Sequence, residues 1–358
     1  MVEQKFSAAV AMDDLDSVDA LPSLAIGQYR VRLRAVEEVR LPPYAGSAWR
    51  GALGHALKQV FCVTRLASCE QCLLYRSCGY AYVFETPPPC NSRKMRKYTA
   101  APHPFVLMPG LDGGLLSPGA EYLLGLSLFG RSNHYLPYFI HALALAANKG
   151  IGGRRGRLVL CAVEQLDFQA GGVWRGIYEG AGDCCPLPPE PPSVPGIPPR
   201  VKVVLETPLR IKQQGRVVDA QALSFSTFFS NLLRRISLLS HFHGDQSLET
   251  DFRGLVSAAA AIGWDEADLH WFDWKRYSSR QQQEMRLGGL LGSFVLEGAT
   301  LAPFWPYLWL GQYVHTGAVT TMGLGRYRLV SETAALDMEP AARYGPCDVT
   351  DGTGRTSA

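Results

Sequence analysis

Four cysteines crowd one short stretch of this 358-residue chain: Cys62, Cys69, Cys72 and Cys78, spaced Cys-x6-Cys-x2-Cys-x5-Cys. Thiolates are soft, strongly donating ligands. Four of them satisfy a tetrahedral zinc ion or the four irons of a cubane cluster. The plain alternative is four unrelated free thiols, and the clustering speaks against it. Cys90, after three prolines, is an extra thiol or a replacement ligand. The cysteines number nine, an odd count with no export signal, which argues against a disulfide framework.

Two glycine- and arginine-rich stretches carry a second kind of chemistry. They read Gly150-Ile151-Gly152-Gly153-Arg154-Arg155 and Gly323-Leu324-Gly325-Arg326. Glycine lets backbone N–H groups approach a phosphate closely, and arginine adds bidentate contacts to it. Neither stretch follows a first strand and opens a helix, so the dinucleotide fingerprint does not apply, and a Walker A motif is absent. Taken singly, each reads equally well as a tight helix-to-strand turn. Two at equivalent places, both with arginines, point to binding of a phosphate backbone by Arg154, Arg155, Arg157, Gly323, Gly325 and Arg326.

The elements that must position these groups follow from pattern. Residues 1–24 read as a flexible lead-in and 335–358 as a flexible tail. Between Pro186 and Pro199 lie eight prolines, which form neither helix nor central strand. A stiff linker over 182–199 therefore divides the chain into domains at 25–181 and 200–334.

Each half opens with a strand (Tyr29–Arg34, Val201–Leu205) and continues with an amphipathic helix. Trp49, Leu53, Ala56, Leu57 and Val60 mark the apolar stripe of the first helix; Phe225, Phe229, Leu232, Ile236 and Leu239 mark the second. Each half closes with an apolar helix, a glycine loop and a last strand. This order predicts an α+β protein of two tandem ferredoxin-like (RRM-like, βαββαβ) domains. The cysteines fall in an insertion of the first, at about 62–98.

Composition narrows the class. The chain is 47% hydrophobic and 19% charged, as a globular protein is, and its net charge is only +3. A nucleic-acid site must therefore come from local clusters of arginine rather than a global field. Asp13, Asp14, Asp16 and Asp19 stand where a signal peptide would be basic, and no run of about 20 apolar residues exists. The expectation is a cytoplasmic protein with no membrane partner.

Longer strings carry a family resemblance. They are Trp274-Lys275-Arg276-Tyr277-Ser278-Ser279-Arg280-Gln281, Met285-Arg286-Leu287-Gly288-Gly289 and His315-Thr316-Gly317 … Thr320-Thr321-Met322-Gly323-Leu324-Gly325-Arg326-Tyr327. The last joins the second glycine loop to its strand. With the shorter Trp49-Arg50-Gly51-Ala52-Leu53-Gly54-His55-Ala56-Leu57, they resemble the CRISPR-associated endoribonucleases of the RAMP superfamily that mature CRISPR RNA. The resemblance covers roughly residues 25–333. It implies two ferredoxin-like domains, precursor CRISPR RNA with a repeat hairpin as partner, and cleavage that needs no metal. The ribose 2′-hydroxyl attacks its own 3′ phosphate, leaving a 2′,3′-cyclic phosphate and a 5′-hydroxyl. CRISPR effector subunits are implied as further partners. A non-catalytic repeat-binding subunit of such a complex is the alternative.

That chemistry needs a base, an acid and positive charge on the phosphorane. His55 is the leading candidate, off the apolar stripe of its helix, with Lys58 three residues on. Tyr44, in the preceding turn, is a candidate hydrogen-bond donor or acid. His315, Lys275 and Arg276 are further RNA-contact candidates, and the basic run Arg93–Tyr98 reads as a clamp or a solvated loop. The aromatic run from His270 to Trp274 reads as a strand with core aromatics, or as a surface that stacks bases. The cysteine spacing also resembles the iron–sulfur loop of the endonuclease III and MutY DNA glycosylases. This favours a 4Fe–4S cluster, with zinc a close alternative, in a structural role; a redox sensor is a third reading.

Overall fold

The structure, a computed structural model, describes residues 22–88, 101–110, 114–273, 275–278, 283–286 and 288–332, of which 275–278 and 283–286 are described as backbone. The first domain runs β1 (Ile26–Ala35), α1 (Gly46–Phe61), β2 (Phe105–Pro109), β3 (Glu121–Phe129), α2 (Leu136–Lys149) and β4 (Leu158–Asp167), followed by an added strand β5 (Val173–Tyr178). The sheet order is β2-β3-β1-β4-β5, with antiparallel neighbours throughout. The second domain runs β6 (Arg200–Leu209), α3 (Phe225–His243), α4 (Phe252–Ala259), β7 (Asp265–Phe272), β8 (Gly289–Glu297), α5 (Trp305–Val314) and β9 (Tyr327–Ser331). Its sheet order is β7-β8-β6-β9, again antiparallel. In both, the opening strand lies between the third and the last strand of its unit. That is the ferredoxin-like arrangement, twice over.

Period-2 burial builds each opening strand. On β1, Tyr29, Val31 and Leu33 are buried while Arg30, Arg32 and Arg34 alternate with them. On β6, Val201, Val203 and Leu205 do the same. The apolar stripe of α1 sinks Trp49, Leu53 and Leu57 into the first core. There Trp49 stacks on Tyr122 at 5.8 Å and donates its indole N–H to the Tyr122 hydroxyl at 3.2 Å. In α3, the Ser224 hydroxyl accepts from the Thr227 amide and caps the N-terminus.

The two domains share apolar surface. Ile26, Val106, Met108 and Phe129 of the first belong to the same buried cluster as Phe228, Phe294 and Tyr327 of the second. The proline-rich segment threads along both: Ile26 donates its amide to Glu190 O, and Trp305 donates its indole N–H to Pro195 O. β7 corrects one expectation. It is an edge strand of the second sheet, and Trp271 and Phe272 are exposed rather than in the core. No helix among the described residues is long and apolar enough to cross a membrane.

Candidate active site and cysteine loop

Helix α1 is where the separate parts of the molecule meet. It starts without a side-chain cap, because its N-cap residue is Ala45, and the segment before the second glycine loop packs against its first turn. A Cβ on Gly46 would lie 2.0 Å from the Met322 carbonyl oxygen, so only glycine permits this approach. Tyr44 donates its hydroxyl to the same carbonyl at 2.6 Å, and Arg50 Nε donates to Thr321 Oγ1 at 3.2 Å. The Arg50 guanidinium also lies over the Phe84 ring, 4.5 Å from its centre.

His55 lies on the open side of α1, exposed, one turn after exposed Gly51 and one turn before exposed Gln59. Gln59 leads to the first glycine loop: its Oε1 accepts from Lys149 Nζ, on the last residue of α2. The loop then turns through Gly150 (φ 90°), Gly152 (φ 82°) and Arg155 (φ 52°). Arg154 is 72% exposed, 3.8 Å from Glu38, and Arg157 lies 3.4 Å from Glu37. Such solvated pairs contribute little and exchange readily for another anion. Lys149 thus stands one turn along α1 from His55 through Gln59, and Arg154 and Arg155 follow it on the open loop.

The other predicted catalytic groups turn elsewhere. The Tyr44 hydroxyl is committed to Met322 O, and burial pushes its pKa well above the usual phenol range. Lys58 Nζ reaches the Ala67 carbonyl at 3.5 Å, on the cysteine loop. The structure therefore does not set them beside His55 as the sequence suggested.

The second glycine loop also departs from expectation. Thr320, Thr321, Met322 and Leu324 are buried. A Cβ on Gly323 would lie 2.6 Å from Leu107 O and from the Tyr44 hydroxyl, and one on Gly325 1.7 Å from Thr316 O. These glycines face protein and not solvent, which corrects their reading as phosphate contacts. His315 is fully buried as well. Its Nδ1–H donates to Leu324 O at 3.2 Å, and burial pulls its pKa down to about 3. It does not stand open to an RNA. Arg326 is partly exposed, but its guanidinium pairs with Glu206 at 2.7 Å. Lys275 and Arg276 lie on a short antiparallel hairpin with Gln283–Arg286. Their side chains, and the run Arg93–Tyr98 with Cys90, lie outside the described residues.

Directly after α1, Cys62, Cys69, Cys72 and Cys78 line one cavity, with Phe61, Tyr75 and Tyr80 in its wall. The Thr64 hydroxyl sits 3.4 Å from Cys72 Sγ, and this bond, with another from the Leu74 amide, holds the Cys72 thiol below its ordinary pKa. Burial raises that of Cys69. Among the described residues, no three of His, Cys, Asp or Glu are drawn together closely enough to hold a metal as they stand.

Residues 203–327, nearly all of the second domain, match the family of the CRISPR-associated endoribonuclease Cas6. The second domain is thus similar to the Cas6 family. Residues 23–188 match a separate family described only as an N-terminal domain. An uncharacterized protein of Archaeoglobus fulgidus is 27% identical over 129 residues. That match covers 36% of this chain and 43% of the relative, so the chain spans less than half of the relative's length. Among solved structures, a Thermus thermophilus Cas6 product complex superposes with TM-score 0.51 at 15% identity, over 86% of this chain and 99% of that one. A partial complex of Cas6-RT-Cas1 with Cas2 also gives 0.51 at 15% identity, over 90% of this chain and 49% of that one. At these identities the likeness concerns the fold.

The Cas6-type domain thus meets the first domain through its glycine loop. Three residues of the arrangement escaped the sequence reading: Arg50, Gln59 and Lys149. Arg50 and Gln59 are polar positions on α1, indistinguishable in sequence from a solvated face. Lys149 carried a weak signal, since it ends a helix just before Gly150.

Proposed function

We propose that this protein is an endoribonuclease that binds the repeat hairpin of precursor CRISPR RNA and cuts it without a metal ion. The observation that carries the reading is the docking of the Cas6-type glycine loop onto α1, the helix that presents His55 on its open side. The scissile ribose lies at His55. The imidazole removes the 2′-OH proton, and the oxygen attacks the adjacent phosphorus in line with the departing 5′-oxygen. Arg154, Arg155 and Lys149 attract the phosphate backbone, and their charge favours the phosphorane over the ground state. The departing 5′-oxygen takes its proton from water, and the products are a 2′,3′-cyclic phosphate and a 5′-hydroxyl. Subunits of a CRISPR effector complex are the partners to which the product passes.

A second reading, a subunit that holds repeat RNA without cutting it, gains support from one observation. Tyr44 and Lys58 point away, so neither supplies the second proton-transfer group beside His55. The 2′-hydroxyl separates the readings. Incubation with the repeat RNA is expected to give a cyclic phosphate end, and a single 2′-deoxy substitution at the cut site is expected to abolish cleavage but not binding. Intact RNA in every reaction, bound but uncut, would leave the second reading standing.

A further inference from the structure

Between Phe61 and Cys78 no residue is buried, and Leu73 is 95% exposed. The segment has no strand and no helix, yet it winds through a succession of hydrogen-bonded turns: Cys72 N to Cys69 O, Tyr75 N to Cys72 O, Cys78 N to Leu74 O. A connection this long without a core of its own is uncommon, because ordering its backbone is opposed by conformational entropy that burial here does not offset. Something other than apolar packing must hold it.

We propose that Cys62, Cys69, Cys72 and Cys78 form a tetrathiolate metal centre that staples this segment to the end of α1. All four cysteines line the same cavity. The donor set contains sulfur alone, which selects zinc or an iron–sulfur cluster and disfavours hard cations. The surroundings suit a charged thiolate group. The Leu74 amide and the Thr64 hydroxyl both bond to Cys72 Sγ, as outer-shell donors do at metal thiolates. Lys58, anchored on Ala67 O, brings a positive charge next to Cys69. Drawing four sulfurs onto one ion requires movement of a loop in which no residue is buried. A metal that binds only the folded loop contributes its binding free energy to folding.

The centre is structural, and its position gives it a second consequence. Its last ligand, Cys78, leads into Tyr80 and Phe84, which stack on each other, and Phe84 presses on Gly54 and carries Arg50. The metal therefore positions the segment that braces α1 on the side facing the Cas6-type domain. His55 lies one turn before Lys58 on the same helix.

The test is elemental analysis and visible absorption of the full-length protein purified without oxygen, from cells supplied with iron and zinc. One zinc per chain, or a brown protein carrying iron and acid-labile sulfide, supports the proposal, and the two results distinguish the ion. Cys72→Ser and Cys69→Ser are expected to lose most of the metal and to open residues 62–78 to protease, while Cys185→Ser keeps both properties of the native chain. Because a cysteine variant can fail to fold, the native protein is also treated with a mercurial thiol reagent, which should release the metal and expose the same segment to cleavage. Metal-free native protein, or metal that survives both substitutions, overturns the proposal. The readouts are metal and protease cleavage, so they stand apart from any result on RNA.

Discussion

The two glycine loops look alike in sequence and do different work in space. The first, at Gly150–Arg155, stands open: Arg154 is 72% exposed and Gly153 has nothing near its missing Cβ. The second, at Gly323–Arg326, is sealed against α1 and β2, and its glycines are required by contact with Thr316, Leu107 and Tyr44. From His315 to Gly325 the backbone takes positive φ at His315, Gly317, Val319, Gly323 and Gly325, and at the β-branched Val319 this is strained. One sequence signature, glycine before arginine, thus serves exposure in one domain and close packing in the other. The lesson is that glycine records a need for space or for positive φ and leaves open who takes the space.

That contrast can be broken experimentally, and the seam is the largest lever. His243 and His315 are both buried there. His243 Nε2–H donates to Pro102 O at 2.7 Å and Nδ1 accepts from the Tyr82 hydroxyl at 3.1 Å. Burial lowers their pKa values from 6.5 to about 4 and about 3. Such a group binds its proton more readily in the unfolded chain, so its stability contribution is complete above pH 6.5 and is lost as pH falls towards the folded value. At pH 5 each costs roughly 2 kcal/mol, about 4 kcal/mol together. Urea midpoints at pH 7.5 and 5 should fall accordingly, and His243→Gln should flatten the pH dependence. A midpoint that does not move with pH contradicts a buried seam.

Gly325→Ala comes next, destabilising by about 3 kcal/mol or more, since the new Cβ meets Thr316 O at a backbone φ of 71°. Its counterpart in the open loop, Gly153→Ala, should stay within about 0.5 kcal/mol in the same urea titration. Equal effects in the two loops would erase the distinction.

On the binding side the order reverses. Arg154→Ala with Arg155→Ala should weaken repeat RNA by about tenfold and reduce the slope of log affinity against log salt by about 2, without changing Tm. Arg326→Ala, removing a guanidinium already held by Glu206, should change RNA affinity by less than about threefold. Fluorescence anisotropy over a salt series reads both. An Arg326 effect larger than the loop 1 effect would exchange the roles of the loops.

The fold was legible because its signals are local. Alternation in β1 and β6, the stripe on α1 and the proline run each act over a few residues, and the repeated order of elements supplied the topology. Partners across the chain were not legible. Tyr44 and Met322 are 278 residues apart, and Arg50 and Thr321 are 271 apart. Their pairing depends on how two domains dock, which no periodicity encodes. The same limit made His315 look available: a histidine beside glycines reads as a loop residue, and only the packed structure puts it inside. Lys58 shows the converse. Its spacing from His55 was correct for neighbours on a helix, but a long side chain has a choice of partners, and the cysteine loop offered a carbonyl.

The central claim is that this chain cuts RNA through His55 with no metal in the reaction. Single-turnover cleavage of repeat RNA, in EDTA that leaves the protein's own metal content unchanged, compares the native chain with His55→Ala. Full cleavage by the native protein and a loss on the order of 100-fold or more in the variant, at unchanged RNA affinity, is the predicted result. Equal rates in the two proteins, or native activity that vanishes in EDTA and returns with added magnesium, would contradict it.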